Sequence, residues 1–416
     1  MKPDGVLRTV AAIAVAALLV AFAPAEKAAG RVLVINSNAS DPAPRAAWTE
    51  LVQRFRAEHP EIEVQYNLYD HESYKRALRN WLTGGAPDVV LWFVGRRMRE
   101  FVEPGLLEDI SDLFTPQRIA ELPPGALDLV SVGGRRYGVP YSYYHVGLFF
   151  RRDLLQAAGV ARLDDWPALL SACEKLRAAG IAPFAIGSRD LWPTAAWFDY
   201  LNLRSNGYAF HMQVMEGRVP YTDARIRAVF GRWRELIERD CFMPNHASQG
   251  WQQSQAWLYQ GKAAMMLIGN YIVPNFPADM RERMDFAPFP LIDAAIPLAE
   301  DAPMNSLHIP ARAQNKDDAR RFLAFAMRAE VQEALNRKLL LIPVNRNAAI
   351  AEDPFLRAGA TLLRRAQHLS QFFDRDTSED LATIAMKGFQ EFMLHPERLE
   401  TVLQNIERAR LRIYGP

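Results

Sequence analysis

Pro87-Asp88-Val89-Val90-Leu91-Trp92-Phe93 reads as a short buried strand that runs into two aromatics. Gly84-Gly85-Ala86-Pro87 ahead of it is turn chemistry, so the chain enters the strand from a tight bend. Val89, Val90 and Leu91 are apolar without alternation, the pattern of a strand covered on both faces. Met98, Phe101 and Val102 then lie three and four apart, which predicts a helix that Glu103-Pro104-Gly105 stops. In an open α/β sheet the carboxyl end of a strand faces the ligand crevice. Trp92 stands at that end, where its ring is either a platform for a flat apolar ligand face or a core aromatic under the following helix. Phe93 reads as core.

Working outward, Arg31-Val32-Leu33-Val34-Ile35-Asn36 is a first strand, and Pro44 opens a helix with the stripe Trp48, Leu51, Val52 and Phe55. Residues 62–66 alternate as a second strand, and 71–83 repeat at helical spacing. The resulting βαβαβ run predicts a mostly parallel sheet. Gly133-Gly134 marks a hairpin, and Tyr141, Tyr143, Tyr144 and His145 precede a strand at 147–150. Further strands are expected at 183–186, 263–268, 286–290 and 306–309. Helices are expected from Trp166 to near Gly180 and at 191–203, 223–239, 251–259, 316–328, 330–337, 378–393 and 396–411. Thr377-x-x-Asp380 resembles a capping box.

The 416 residues are half hydrophobic, and 49 basic against 48 acidic side chains give a net charge of +1. That balance gives no reason to expect a nucleic-acid partner or a charged membrane surface. Lys2 and Arg8, an unbroken apolar run from Val10 to Phe22, and Ala23-Pro24-Ala25 form a secretory signal peptide with cleavage expected after Ala25. No cysteine lies near that site, which excludes lipid attachment there. The remaining length predicts two domains. Cys173 and Cys241 either pair in an oxidising compartment or are two small buried residues.

Catalytic templates fail: the chain has no G-x-S-x-G elbow, no G-x-x-x-x-G-K-[ST] loop and no H-E-x-x-H. No metal and no cofactor is expected. A pair of carboxylates meeting only in space keeps a glycosidase as an alternative. Aromatics and polar amides at predicted strand ends instead suggest a cleft that holds a molecule without transforming it.

Several stretches together resemble the extracellular solute-binding proteins of bacterial ABC importers, in the large carbohydrate-binding group that includes the maltose-binding protein. They are Phe55-Arg56-Ala57-Glu58-His59-Pro60-Glu61-Ile62-Glu63-Val64, then Gly84 to Val90 with Gly105-Leu106-Leu107-Glu108-Asp109-Ile110. Gly138-Val139-Pro140-Tyr141 with Phe149 to Leu155, Gly261-Lys262-Ala263-Ala264-Met265, and Ala319 to Ala326 with Glu330-Val331-Gln332 follow in order. The resemblance implies an α/β, two-lobed periplasmic binding protein fold of type II with the ligand between lobes. It divides the chain into 1–25 signal peptide, 26–143 and 288–342 as the N-terminal lobe, and 144–287 and 343–416 as the C-terminal lobe. It also implies a non-enzymatic, monomeric periplasmic receptor. The receptor binds a mono- or oligosaccharide and delivers it to membrane permease subunits. A charged solute such as a phosphodiester or polyamine is the alternative ligand.

Trp92 falls where maltose-binding relatives carry a sugar-contacting aromatic, and Arg96 where they carry an arginine. Gly95 replaces their aspartate and Tyr144 their glutamate, so two hydroxyl acceptors are absent. Met304-Asn305-Ser306 replaces a glycine-rich segment, which makes Asn305 a candidate. Asp374-Arg375-Asp376-Thr377 resembles a segment of a subgroup of sugar binders. Asn36, Ser37 and Asn38 follow the first strand, with turn formation as the competing role. Arg45 opposes the helix dipole, which suggests binding or plain exposure. Of Tyr144 and His145 one is expected to bind and the other to pack. Of Trp197 and Asp199, two apart on a helix, at most one points inward. Trp251, Asn270 and Tyr271 complete the expected site. N-terminal sequencing of the periplasmic fraction should return Glu26 as the first residue; Met1 retained in a membrane fraction would overturn the cleavage assignment.

Overall fold

The computed structural model describes residues 32–416, so the expected signal peptide lies outside the described residues. Strand β1 (Leu33–Ser37), helix α1 (Pro42–Glu58), strand β2 (Val64–Leu68), helix α2 (His71–Thr83), strand β3 (Val89–Phe93) and helix α3 (Arg96–Val102) come first. β1 pairs in parallel with both β2 and β3. Tyr74 on α2 binds this unit from beneath: its hydroxyl accepts from the Leu91 amide at 3.0 Å and lies 2.8 Å from the Leu91 carbonyl. Asp88 accepts from Val34 N at 2.9 Å and from the amides of Gln314 and Asn315. A buried carboxylate so surrounded is satisfied by backbone alone.

Strands β4 (Val139–Tyr143), β5 (Val146–Arg151), β6 (Ala182–Phe184), β7 (Ala263–Gly269), β8 (Met284–Ala287), β9 (Ala299–Asp301), β10 (Met304–His308), β11 (Ile342–Pro343) and β12 (His368–Ser370) follow. The first sheet has the order β11-β4-β10-β3-β1-β2 and the second β8-β5-β7-β6. β9 and β12 form a separate parallel pair. The chain passes from the first sheet to the second between Tyr143 and Val146, and returns between Ala287 and Met304. The expected mostly parallel sheet is parallel only over β2-β1-β3. β10, β4 and β11 are antiparallel to their neighbours; β10 enters from the second sheet rather than through a helical crossover, and runs against both β3 and β4.

One continuous core underlies both sheets, and a small apolar cluster of Ala302, Ile342, Leu356 and Leu363 sits where the segments cross. Most predicted elements fall within a few residues of the observed ones; three differences stand out. The aromatic helix runs from Trp192 to Met215, broken at Gly207, where φ of 77° and ψ of 171° are open to glycine. Helix Pro354–Arg365, which the sequence analysis did not assign, carries Asp353 as N-cap and Pro354 in its first turn. Ser378, not Thr377, caps the helix Glu379–Leu394, its hydroxyl accepting from Leu381 N. Cys173 and Cys241 are buried free thiols, and burial with the neighbouring Cys241 pushes the Cys173 thiol up.

His145, in the first crossing, is fully buried against Phe149 and Phe286, and neither ring nitrogen has a hydrogen-bond partner among the described residues. Burial pushes its pKa down to about 3, so it packs as a neutral ring. Gly359 of the helix Pro354–Arg365 makes this possible: a Cβ there would stand 1.8 Å from His145 Nδ1. Gly359→Ala gains about 1 kcal/mol of helix propensity. The overpacking it forces costs about 1–3 kcal/mol and wins. The expected result is a lowered urea midpoint.

Candidate functional site

The carboxyl ends of β1 and β3 and the amino end of the antiparallel β10 converge on a cavity of about 160 Å³. Leu91 and Phe93 of β3 face it, and Tyr141 of β4 and Asn305 of β10 lie alongside. Strand alternation decides which aromatic of the opening stretch is presented: residues 91 and 93 share one face and Trp92 takes the other. Trp92 stacks on Phe93 at 4.6 Å, packs on Phe101 of α3 and lies under the Arg97 guanidinium at 5.4 Å. The two readings are thus reversed. Trp92 is core, and Phe93, read as core, lines the cavity. A register irregularity opposite Asn305 and Ser306 leaves Tyr141 as the extra residue of β4 beside it.

The opposite wall is aromatic. Trp192 and Trp251 occupy the first positions of the helices Trp192–Met215 and Trp251–Tyr259, and Tyr271 follows β7. Trp251 and Tyr271 meet edge to face at 5.6 Å, and Tyr271 meets Tyr144 at 5.1 Å. Leu191, just before Trp192, has φ 64° and ψ −51°, a three-residue-turn geometry rarely adopted by a side-chain-bearing residue. That turn fixes where Trp192 begins its helix.

The polar pole combines α2 with the segment 371–377. Lys75 Nζ stands 3.6 Å from Asp374 Oδ2 and 3.6 Å from Glu72 Oε2. Burial opposes the Asp374 charge, but Lys75 and Arg375 outweigh it and hold its pKa below the usual carboxylate value. Asn38 Nδ2 donates to His71 Nδ1 at 3.1 Å. Burial, with Lys75 and Arg375 adding to it, pushes His71 down to about 3 and keeps it neutral. Asp41, at the start of α1, is pushed up by burial against a hydrogen bond from Gln252, which belongs to the helix carrying Trp251. Arg375 lies 3.9 Å over the Phe93 ring and donates to the Tyr144 hydroxyl at 2.9 Å. Its Nη1, and the indole N–H groups of Trp192 and Trp251, are buried donors with no partner among the described residues.

Of the sequence candidates, Asn38, Tyr144, Trp251, Tyr271, Asn305, Asp374 and Arg375 line the cavity. Trp92, Asn36, Ser37, Arg45, Arg96, His145, Trp197, Asp199 and Asn270 do not. Asn36 accepts from Asn67 and Ser37 from the Ala39 amide, so both shape the turn after β1. Arg45 folds back to donate to the Ser40 carbonyl, which offsets its unfavourable place at the helix start. Arg96 lies 4.0 Å from Glu100 and 3.8 Å from Glu103 beyond Gly95, whose φ of 69° suits glycine. Trp197 packs among Phe184, Phe242 and Phe289, and Asn270 donates to the Leu340 carbonyl. Asp199 accepts from the Phe373 amide at 2.9 Å. Trp48, His71, Lys75, Trp192 and Phe372 line the cavity and were not singled out. Trp192-Pro193 ahead of an aromatic helix was the available signal; Lys75 had none, because it is paired only in space.

Residues 38–333 match the model of the bacterial extracellular solute-binding proteins. An ABC transporter extracellular-binding protein of Pyrococcus horikoshii is 24% identical over 322 residues, covering 75% of this chain and 70% of its own. A lipoprotein of Streptomyces antibioticus is 26% identical over 367 residues, covering 84% and 79%. The crystal structure of the bacterial solute receptor AcbH, described with an exclusive substrate preference for β-D-galactopyranose, superposes with a TM-score of 0.87 at 29% identity. That superposition covers 92% of this chain and 99% of that one.

Trp92→Ala should lower folding stability by about 3–5 kcal/mol, the cost of emptying a core tryptophan site, read as a fall in the urea midpoint. A midpoint within error of wild type would show that Trp92 is not packed as described.

Proposed function

Because the chain belongs to the bacterial extracellular solute-binding protein family, we propose that it is the periplasmic receptor of an ABC importer for a single neutral monosaccharide. It holds the sugar between two lobes and hands it to the permease. The family and its solved relatives are binding proteins, and a glycosidase has no support beyond the presence of carboxyl groups.

The observation that carries the reading is the match between cavity size and cavity chemistry. A cavity of about 150 Å³ admits one small ring, and this one measures about 160 Å³. Its walls offer apolar ring faces on one side and unpaired buried N–H donors on Arg375, Trp192 and Trp251. An apolar ligand would leave those donors unsatisfied at about 1–3 kcal/mol each, whereas ring hydroxyls satisfy them. Lys75 and Asp374 already neutralise each other, which favours a neutral ligand over a phosphodiester or polyamine. The likeness to a β-D-galactopyranose receptor supports galactose as the first sugar to test. Sheet membership supports one lobe of 26–143 with 288–342 and places 144–287 in the other, and the packing of helix Glu379–Leu394 on helix Trp192–Met215 supports joining 343–416 to the second. Closure is a hinge motion about the crossings, stabilised by a ligand that touches both lobes.

Calorimetric titration of the mature protein with D-galactose, D-glucose, maltose, raffinose and spermidine tests the proposal. One of the two monosaccharides should bind tightest. Trp251→Ala should weaken that sugar by about 2 kcal/mol, roughly thirtyfold in Kd. Tighter binding of raffinose or spermidine, or turnover of an aryl galactoside, would overturn it.

A further inference from the structure

Behind the cavity, the segment 370–376 carries Phe372, Asp374 and Arg375 to the site. Three carboxyl groups from three elements hold it. Asp301 of β9 accepts from Ser370 Oγ at 2.7 Å, Asp376 accepts from Gln371 N at 2.8 Å, and Asp199 of the helix Trp192–Met215 accepts from Phe373 N at 2.9 Å. Each bond falls on a residue next to, or close to, a cavity residue. Asp199 and Asp301 are fully buried, and each leaves its second oxygen without a hydrogen-bond partner among the described residues. We propose that Asp199, Asp301 and Asp376 are positioning residues that clamp the cavity's polar wall, and that the clamp holds while Asp199 and Asp301 carry protons. The sugar reading supplies the wall's purpose; the clamp itself rests only on these contacts.

A bare carboxylate oxygen with no partner in a buried site is far costlier than a neutral one. The surroundings deepen that cost for Asp301. Glu300 and Asp376 face it, and Arg204 is engaged by Glu300 at 2.5 Å. Tyr200 and Tyr144 also lie within its field. Around Asp199 stand Asp301, Asp374, Asp376, Tyr221 and, at 3.8 Å, the neutral His211. Asp376 faces Arg375, Arg99, Asp374 and Tyr208. Burial first, then these acids, pushes Asp301 up to about 8 and Asp199 well above the ordinary value; burial pushes Asp376 up to only about 6. At neutral pH Asp376 is therefore the charged member and Asp301 and Asp199 the neutral ones. For each raised acid the folded state binds more protons than the unfolded, so its contribution is full below about 4 and falls as pH rises. The Asp301 contribution is lost progressively between about 4 and 8 and changes no further above that.

The test is hydrogen exchange of the peptide 368–377 in the mature protein without sugar, corrected for the chemical rate, from pH 6 to 10. In wild type the opening equilibrium of this peptide should rise as pH increases from 6, by about tenfold per pH unit more than in Asp301→Asn up to about pH 8, and that difference should level off above 8, while the peptide 224–238 stays constant. Asp301→Asn, a neutral isostere, should remove the Asp301 share of the rise and leave the peptide protected at pH 7. A flat wild-type profile, or an Asp301→Asn peptide already open at pH 7, overturns the proposal. Asp199→Asn gives an independent arm, since its amide oxygen still accepts from Phe373 N and should keep that peptide protected at pH 7; an open peptide in this folded variant also overturns it. Titrating the same proteins with D-galactose separates the two readings. A pH-dependent peptide in a protein that binds no monosaccharide supports the clamp and counts against the sugar receptor alone.

Discussion

The site depends on how one cation is kept out of water. Arg375 is 6% exposed, lies over the Phe93 ring and is hydrogen-bonded to the Tyr144 hydroxyl. A guanidinium in that position gives up hydration, which ring faces and a single hydroxyl replace only in part. The deficit is met by Asp374 and Asp376 flanking it in sequence and by a pole in which Lys75 is shared between two acids. Phe93 belongs to the first sheet, Tyr144 to the crossing, and Phe372 packs on Trp192 of the second half. The same cation therefore ties the crossing to both walls of the cavity.

Much of the architecture was legible because it is written in local periodicity. The βαβαβ run, the helix starts at Trp192-Pro193 and Trp251, and the strand ending at Gly269-Asn270 all follow from spacing and turn chemistry. What failed was non-local. No pattern within 88–93 tells which face of β3 meets the cavity, because both faces are covered and both carry aromatics. The sense of the strand's two faces is set by β10, more than two hundred residues away. Helix Pro354–Arg365 was legible in Asp353-Pro354 and in Phe355, Leu356, Gly359, Leu362 and Leu363, a regular apolar stripe, and was overlooked.

The candidate site divides along the same line. Residues at strand and helix ends, such as Asn38, Trp251 and Tyr271, were found because ends are where α/β sheets receive ligands. Residues displaced from the site turned out to be its supports. Asn36 and Ser37 shape the turn that presents Asn38, Asn270 ties the turn before Tyr271 to the Leu340 carbonyl, and Asp199 holds the Phe373 amide. Polar character at a strand end is a signal for both roles, and sequence alone does not separate a side chain that touches a ligand from one that fixes its neighbour.

The order of strands in the first sheet has a consequence for how the chain matures. β3 and β4 do not pair with each other; β10, at residues 304–308, is inserted between them. A chain emerging stepwise from its amino end can assemble β2-β1-β3 early, but the sheet has a missing middle until almost three quarters of the sequence is available. Such long-range pairing delays native closure and keeps edges open during synthesis. A polypeptide built this way stays threadable for most of its length and commits to its compact form late, a kinetic property that strand order alone imposes.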